Sequence, residues 1–457
     1  MITSTNPTTG DIEREFEAHD RAAIETSLAQ AHAAQKKWRK TPVQERCDLL
    51  ARVAGVLRAR QSELARLITL EMGKPITEAE GEIEKCAWTC DYYAQHAEAM
   101  LADQPVPTSA SVSKVVFEPL GIVLAVMPWN YPFWQVMRFA APAIVAGNAA
   151  VLKHANNVPQ CALAVQSVFD EAGAPHGIFC TLLVEASEVK GLIEDARIAA
   201  VTLTGSTPVG KLVASQAGAV LKKQVLELGG SDPFIVLADA DIKLAAKTAV
   251  KARFSNAGQS CISSKRFIVE HAVADQFIAA FCDEARQLKI GNPLDHTTQI
   301  GPMARANLRE ELHAQVQRSI DAGAKLCMGG EPSPGPGYFY LPTILDNVTQ
   351  AMAAACEETF GPVAAIMRVA NADEAIDVAN SLDFGLGAAI WSADVQRADA
   401  LARRIDAGAV FINALVASDA RVPFGGIKQS GYGRELGAYG LREFTNIKTI
   451  WTGPNIN

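Results

Sequence analysis

A chain of 457 residues exceeds one typical hydrophobic core and is expected to divide into two or more domains. Hydrophobic residues make up 49% and charged residues 20%, as in an ordinary globular enzyme, and the formal net charge of −8 excludes a nucleic-acid partner that depends on a basic surface. The N-terminus has neither a basic head nor an apolar core, and the most apolar stretch, 121–137, is broken by Pro128, Asn130 and Pro132, so neither a signal peptide nor a membrane span is expected.

Nine cysteines, scattered without CxxC spacing, read as reduced thiols of a cytoplasmic protein. Apolar residues recur at helical spacing over 21–38, 43–72 and 78–102, most clearly at Leu49, Leu50, Val53, Val56 and Leu57, which predicts amphipathic helices. Two prolines and several small residues make 103–113 a connection, and 114–118 follows as a short strand. From there the chain alternates. Strands are predicted at 122–127, 150–153, 179–184, 199–203 and 225–228, with helices at 133–146 and 161–172 and further segments at 189–195 and 209–217 between them. A second series follows Gly230, with strands at 234–237 and 264–269 and helices at 241–253, 275–289 and 305–322. Strands alternating with helices imply parallel sheets, so the fold class is α/β with two doubly wound domains.

The chemistry gathers around the stretch ending Gly258-Gln259-Ser260-Cys261. Most cysteines are inert buried thiols, and Cys161, Cys180 and Cys282 fit that reading; Cys261 instead ends a run of small and polar residues just after a predicted helix. Glu227 lies between two leucines and before Gly229-Gly230, a setting that would bury the carboxyl and raise its pKa toward neutrality. Asn130 closes the apolar run through Met127. Thiol, carboxylate and amide can serve as nucleophile, base and oxyanion donor at a carbonyl. No G-x-G-x-x-G follows any strand; 205–212 nearly matches a Walker loop, but Leu212 stands where Ser or Thr would meet Mg²⁺.

Asn6-Pro7-Thr8-Thr9-Gly10, Pro128-Trp129-Asn130, Leu226 to Gly230, the Cys261 loop, Glu357 to Pro362, and Pro423-Phe424-Gly425-Gly426 through Arg434-Glu435, in this order and spacing, resemble the aldehyde dehydrogenase superfamily over nearly the whole chain. The resemblance implies a dinucleotide-binding domain at 1–112 and 121–229, a catalytic domain at 230–425, oligomerisation strands at 113–120 and 446–457, and a return to the cofactor domain at 426–445. It also implies a homodimer or homotetramer. Cys261 would attack an aldehyde to give a thiohemiacetal and then a thioester, with Glu227 as the base and Asn130 as the oxyanion donor. Trp129, Lys153, Asn156, Gly205, Ser206, Glu358 and Phe360 would hold the nicotinamide dinucleotide, and no metal is implied.

Departures from the family pattern, and one match to it, bear on specificity. Many relatives carry a glutamate three residues after the ribose-binding lysine, where this chain has Lys153-His154-Ala155-Asn156. Loss of that carboxylate removes a repulsive neighbour for a 2′-phosphate and favours NADP over NAD. Arg138, among mostly apolar neighbours on the helix expected to line the substrate tunnel with Trp134, invites an anion. It matches the carboxylate-binding arginine of succinate-semialdehyde dehydrogenases, the short bacterial ones most closely, and Ser418 matches a second contact. A further arginine of many such enzymes is replaced by Ser255, and the second cysteine of a redox switch by Ser263. The expected substrate is therefore a small aldehyde bearing a carboxylate, succinate semialdehyde foremost. The alternatives are another small aliphatic aldehyde and a cofactor-free thiol hydrolase.

Overall fold

The computed structural model describes residues 1–453, so the end of the expected 446–457 strand, 454–457, lies outside the described residues. The first layer is helical. Arg21–Trp38 starts at Asp20, whose carboxylate accepts from the Ala23 N–H. The periodicity over 43–72 predicts one helix, but the structure has two, Val43–Ala59 and Gln61–Met72, because Arg60 leaves helical geometry (φ −106°, ψ 13°). No glycine or proline marks the break. Arg60 is held there by ion pairs to Glu63 and Glu171. Both helices lay their apolar faces on the long helix Ile76–Leu101.

Beneath them lies a six-stranded sheet, in the order Gly431–Tyr432, Lys223–Glu227, Ile198–Thr204, Ile122–Met127, Ala149–His154, Phe179–Thr181, parallel except at its first strand. The strand predicted over 179–184 stops at Thr181. Beyond it Leu183 accepts from the His19 N–H of the N-terminal arm (2.7 Å) instead of continuing the ladder. That arm also forms a hairpin, Ile2–Thr5 with Ile12–Phe16, which helical or strand periodicity did not reveal.

The second sheet has seven strands, in the order Lys325–Met328, Thr343–Asp346, Val363–Val369, Ser264–Glu270, Asp232–Val236, Gly387–Trp391, Ala409–Ile412, parallel except at its first strand. Side chains alternate across it. Phe234, Val236 and Phe267 pack into a core on one face, while Ile235, Leu237 and Ile268 pack into a core on the other. Covering both faces is what a parallel sheet requires. After its last strand the chain returns, and Phe424, Leu436, Leu441 and Phe444 join the core of the first sheet.

The strand Thr445–Thr452 pairs antiparallel with Val112–Pro119 along its whole length, joining the two segments in which the resemblance implied oligomerisation strands. The expected connection 103–113 contributes a third short strand, Gln104–Pro105, at the far side. In the first sheet the chain runs from Ile122–Met127 outward one way through Ala149–His154, then doubles back to Ile198–Thr204 on the other side. Between the carboxyl ends of two neighbouring strands that lead in opposite directions a crevice opens, where α/β sheets bind ligands. Here those ends are Met127 and Thr204.

Candidate active site

Pro128, Trp129 and Asn130 follow the first of these strand ends, Gly205 and Ser206 the second. They line a cavity of about 210 Å³ together with Cys261, Glu358 and Phe360. A second cavity, of about 490 Å³, is lined by Trp134, Arg138, Ser418, Phe424 and again Cys261. The thiol is thus part of the wall common to two chambers.

The loop that carries Cys261 is bent by three consecutive residues in the left-handed region, Asn256 (φ 53°), Ala257 (φ 51°) and Gly258 (φ 71°). Only the last is free of Cβ strain, and there a Cβ would run into the Gly361 carbonyl. Clamps from remote segments hold the shape. The Asn256 N–H donates to Glu78 (2.7 Å), and its side-chain amide donates to the Asn130 carbonyl (2.9 Å). Arg253, fully buried, donates to the carbonyls of Val363 (2.6 Å), Thr359 (3.0 Å) and Gly361 and to the Ser263 hydroxyl (2.7 Å). Lys265 reaches the carbonyls of Ser260 (3.0 Å), Cys261 (2.9 Å) and Ser263 (3.2 Å). Burial pushes the Cys261 thiol up to about 11, against the pull of Arg138 and Lys265.

Asn130 is buried, with its Nδ2 donating to the Gln259 carbonyl (3.0 Å) and its Oδ1 accepting from Gln135 (3.0 Å). An amide nitrogen has two N–H groups, so one remains for the chamber. Glu227, 2% exposed, ends the strand Lys223–Glu227 and lines neither chamber. Among the described residues neither of its oxygens has a hydrogen-bond partner, and burial, reinforced by the Glu435 charge, holds its carboxyl well above the usual range against Arg138 and Arg434.

Arg138 departs from the expected partly buried guanidinium left over for an anion. It is wholly buried and already has a counter-ion in Glu435, with a 3.3 Å contact to the Thr204 hydroxyl and its guanidinium carbon 4.7 Å from the centre of the Phe424 ring. The C-terminal return of the chain brings Glu435 there, which no local pattern announces. Trp134 and Ser418 do line the same chamber, and the Ser418 hydroxyl accepts from Lys85 (2.8 Å).

The donor set of the smaller chamber suits a dinucleotide. Ser206 caps the helix Thr207–Ala219 without a side-chain capping bond, so its hydroxyl and the helix N-terminus are available to a pyrophosphate. Gly229 leaves room for Glu358, whose Oε2 would be 2.5 Å from a Cβ there and whose Oε1 accepts from the Gly230 N–H (3.1 Å). Trp129 and Phe360 meet edge to face at 5.7 Å, a pair of aromatic walls. Lys153 and Asn156 lie outside this chamber, bonded to each other (3.0 Å). The expectation of no carboxylate beside them needs correction: Glu185, 29 residues beyond Asn156, accepts from its amide at 2.7 Å. Burial pulls the Lys153 pKa down, and Glu185 partly offsets that.

Sequence reasoning also missed Arg305, which lines the smaller chamber 5.9 Å from the Trp129 ring, and Lys265, whose charge lies 3.7 Å from Glu358. Both precede or start regular elements, where a basic residue gives no signal of its own.

The profile of the Aldehyde dehydrogenase family matches residues 1–450. The chain is 49% identical over 450 residues to a probable succinate-semialdehyde dehydrogenase [NADP(+)] of Synechocystis, covering 98% of this chain and 99% of the relative. It is likewise 49% identical over 448 residues to a succinate semialdehyde dehydrogenase [NAD(P)+] of Escherichia coli, covering 98% and 97%. Among solved structures, a succinic semialdehyde dehydrogenase from Streptococcus pyogenes in complex with NADP⁺ superposes with a TM-score of 0.97 at 39% identity, over 99% of this chain and 100% of that one.

Proposed function

The chain belongs to the aldehyde dehydrogenase family, and from that premise we propose that it oxidises succinate semialdehyde to succinate with NADP or NAD, through a covalent thioester at Cys261. The observation that carries the reading is the position of this thiol in the wall common to both chambers, one suited to a dinucleotide and the other bearing basic side chains and Ser418.

The dinucleotide, when bound, supplies the acceptor for hydride. Ser206 and the helix it caps would hold its pyrophosphate, and Glu358, Phe360 and Trp129 its nicotinamide end. Lys153 and Asn156 would meet the adenosine ribose. Glu227 takes the thiol proton, its carboxylate made more basic by burial and by the Glu435 charge. The thiolate sulfur bonds to the aldehyde carbon, and the carbonyl electron pair moves to oxygen, where Asn130 donates its uncommitted N–H. Loss of hydride from that carbon leaves Cys261 as a thioester. Once Glu227 has released the thiol proton to solvent it removes a proton from water, which attacks the thioester carbon; the C–S bond breaks and the thiolate leaves with the bonding pair. Arg138, Trp134 and Ser418 line the side from which the aldehyde carboxylate is bound.

Initial rates over a panel of aldehydes with both cofactors test the reading. Succinate semialdehyde should give the highest kcat/KM, with succinate as the product. A panel led by an uncharged aldehyde would overturn the substrate, and an absence of aldehyde-dependent cofactor reduction would overturn the reaction.

The same reading divides the chain at Gly229, with 1–112 and 121–229 as the cofactor domain, 230–425 as the catalytic domain, and 113–120 with 446–457 as strands for assembly. Exposed Ile447, Ile450 and Trp451 on an edge strand support a homodimer or homotetramer. Nine unpaired cysteines support a reducing cytoplasm.

A further inference from the structure

Three basic side chains line the larger chamber, and they differ in what already balances their charge. Arg138 has Glu435. Lys251, in the last turn of Ile242–Phe254, is solvent-exposed. Lys85, on the helix Ile76–Leu101, is different. Its ammonium lies 4.2 Å from the centre of the Trp134 ring and donates to the Ser418 hydroxyl at 2.8 Å, yet among the described residues it has no carboxylate within ion-pair distance.

The acidic groups nearest to it are engaged elsewhere. Glu82, on the same helix, is paired with Lys74 and accepts from the Phe133 and Trp134 N–H groups at 2.9 Å each. Asp419 is paired with Arg421 at 2.6 Å. Glu78 accepts the Asn256 N–H. Burial, with the Arg138 charge facing it, pulls the Lys85 pKa down to about 8. A half-buried ammonium without a counter-ion is an uncommon arrangement in a folded protein, and an anion placed there relieves it. An ammonium carries three N–H donors, and Ser418 takes one, so donors remain for an anion in the chamber that Lys85 lines. Ser255, in the same wall, brings no charge.

We propose that Lys85 seats the distal carboxylate of the substrate, with Ser418 and Arg138 flanking it, and so makes the chamber selective for ω-carboxy aldehydes over neutral ones. This rests on the preceding reading that the larger chamber receives the aldehyde. Lys85 is a specificity residue here and takes no part in the bond changes at Cys261.

The test uses the full chain with saturating NADP and two aldehydes of similar length, succinate semialdehyde and butanal. Lys85→Met keeps most of the aliphatic stem against Trp134 and removes the charge, Lys85→Gln retains a donor for Ser418, and Lys85→Arg restores a cation. In the Met and Gln variants the ratio of kcat/KM for succinate semialdehyde to that for butanal should fall roughly 10- to 100-fold, mostly through KM. Lys85→Arg should recover the ratio to within a few-fold. Inhibition of wild-type butanal oxidation by succinate, but not by butyramide, gives a readout that needs no variant to fold. A ratio unchanged in the Met and Gln variants, or equal losses on both aldehydes, would overturn the assignment, as would equal inhibition by succinate and butyramide. A wild type that shows no preference for succinate semialdehyde would overturn the substrate reading together with it; a preference that survives Lys85→Met overturns the assignment alone.

Discussion

Removing the Arg138 guanidinium should do two separable things. Arg138→Ala deletes a cation that faces the aldehyde chamber, and it strips Glu435 of its counter-ion. The second loss is the larger for stability. Breaking a buried pair from one side costs about 3–5 kcal/mol, because the remaining carboxylate has neither water nor a partner. Glu435 is 2% exposed and has the Glu227 carboxyl as a neighbour. Protonation limits that cost and sets the sign of its pH dependence. Burial already raises Glu435 above the usual carboxylate range, and Arg138 is the first of the groups that hold it down. Without the guanidinium the folded-state pKa climbs further, so the folded variant holds a proton that the unfolded chain releases. Its deficit in stability therefore grows as pH rises above the ordinary carboxylate range and shrinks as pH falls toward it. Thermal unfolding at about pH 5.5 and about pH 8 should show a Tm gap to wild type that widens with pH. Adding Glu435→Gln to Arg138→Ala removes the stranded charge and should recover most of the Tm. The preference for succinate semialdehyde over butanal should stay lowered by roughly 10- to 100-fold in both variants. If the double variant is as unstable as the single, the pair is not what holds this region. If neither variant loses the preference, Arg138 does not meet the substrate.

Glu227→Gln should slow thioester hydrolysis more than hydride loss, giving a burst of reduced cofactor followed by a slow steady state; unchanged steady-state turnover would count against the base. Iodoacetamide should modify Cys261 at a rate that climbs about tenfold per pH unit between about pH 7 and 10, because burial lifts the thiol to about 11 and only the thiolate reacts. Peptide mapping separates this site from the exposed Cys356, and a rate that levels off below about pH 8 would refute the assigned burial. Glu185→Gln removes the carboxylate bonded to Asn156 and should raise the preference for NADP over NAD by about three- to tenfold, since a 2′-phosphate beside Lys153 would lose a like charge. Unaltered KM values for both cofactors would place the adenosine ribose elsewhere.

What the sequence made legible is what local pattern controls. Alternating apolar runs gave the strands of the first sheet, and the small polar stretch before Cys261 distinguished that thiol from the buried ones, because close backbone approach demands small residues. What it did not show depends on chain segments far apart. Glu435 against Arg138, Glu185 against Asn156 and Lys85 against Ser418 are tertiary pairs, and no local pattern says which residue meets which. The break at Arg60 was hidden for a related reason: ion pairs fix it, and neither glycine nor proline marks it. The early stop at Thr181 likewise comes from competition by the N-terminal arm.

The left-handed bend that presents Cys261 has a consequence for how the enzyme comes into being. Its clamps come from both sides of the molecule, Glu78 and the Asn130 carbonyl from the first half, Val363 and Thr359 from the second. Within the loop only bonds between Asn256 and Gln259 support φ values near 50°, and the remaining clamps form once both halves are docked. During synthesis the nucleophile therefore remains misaligned until residue 363 has emerged and packed. A partly made chain carries the thiol but not its geometry, and catalytic competence becomes a late readout of complete assembly.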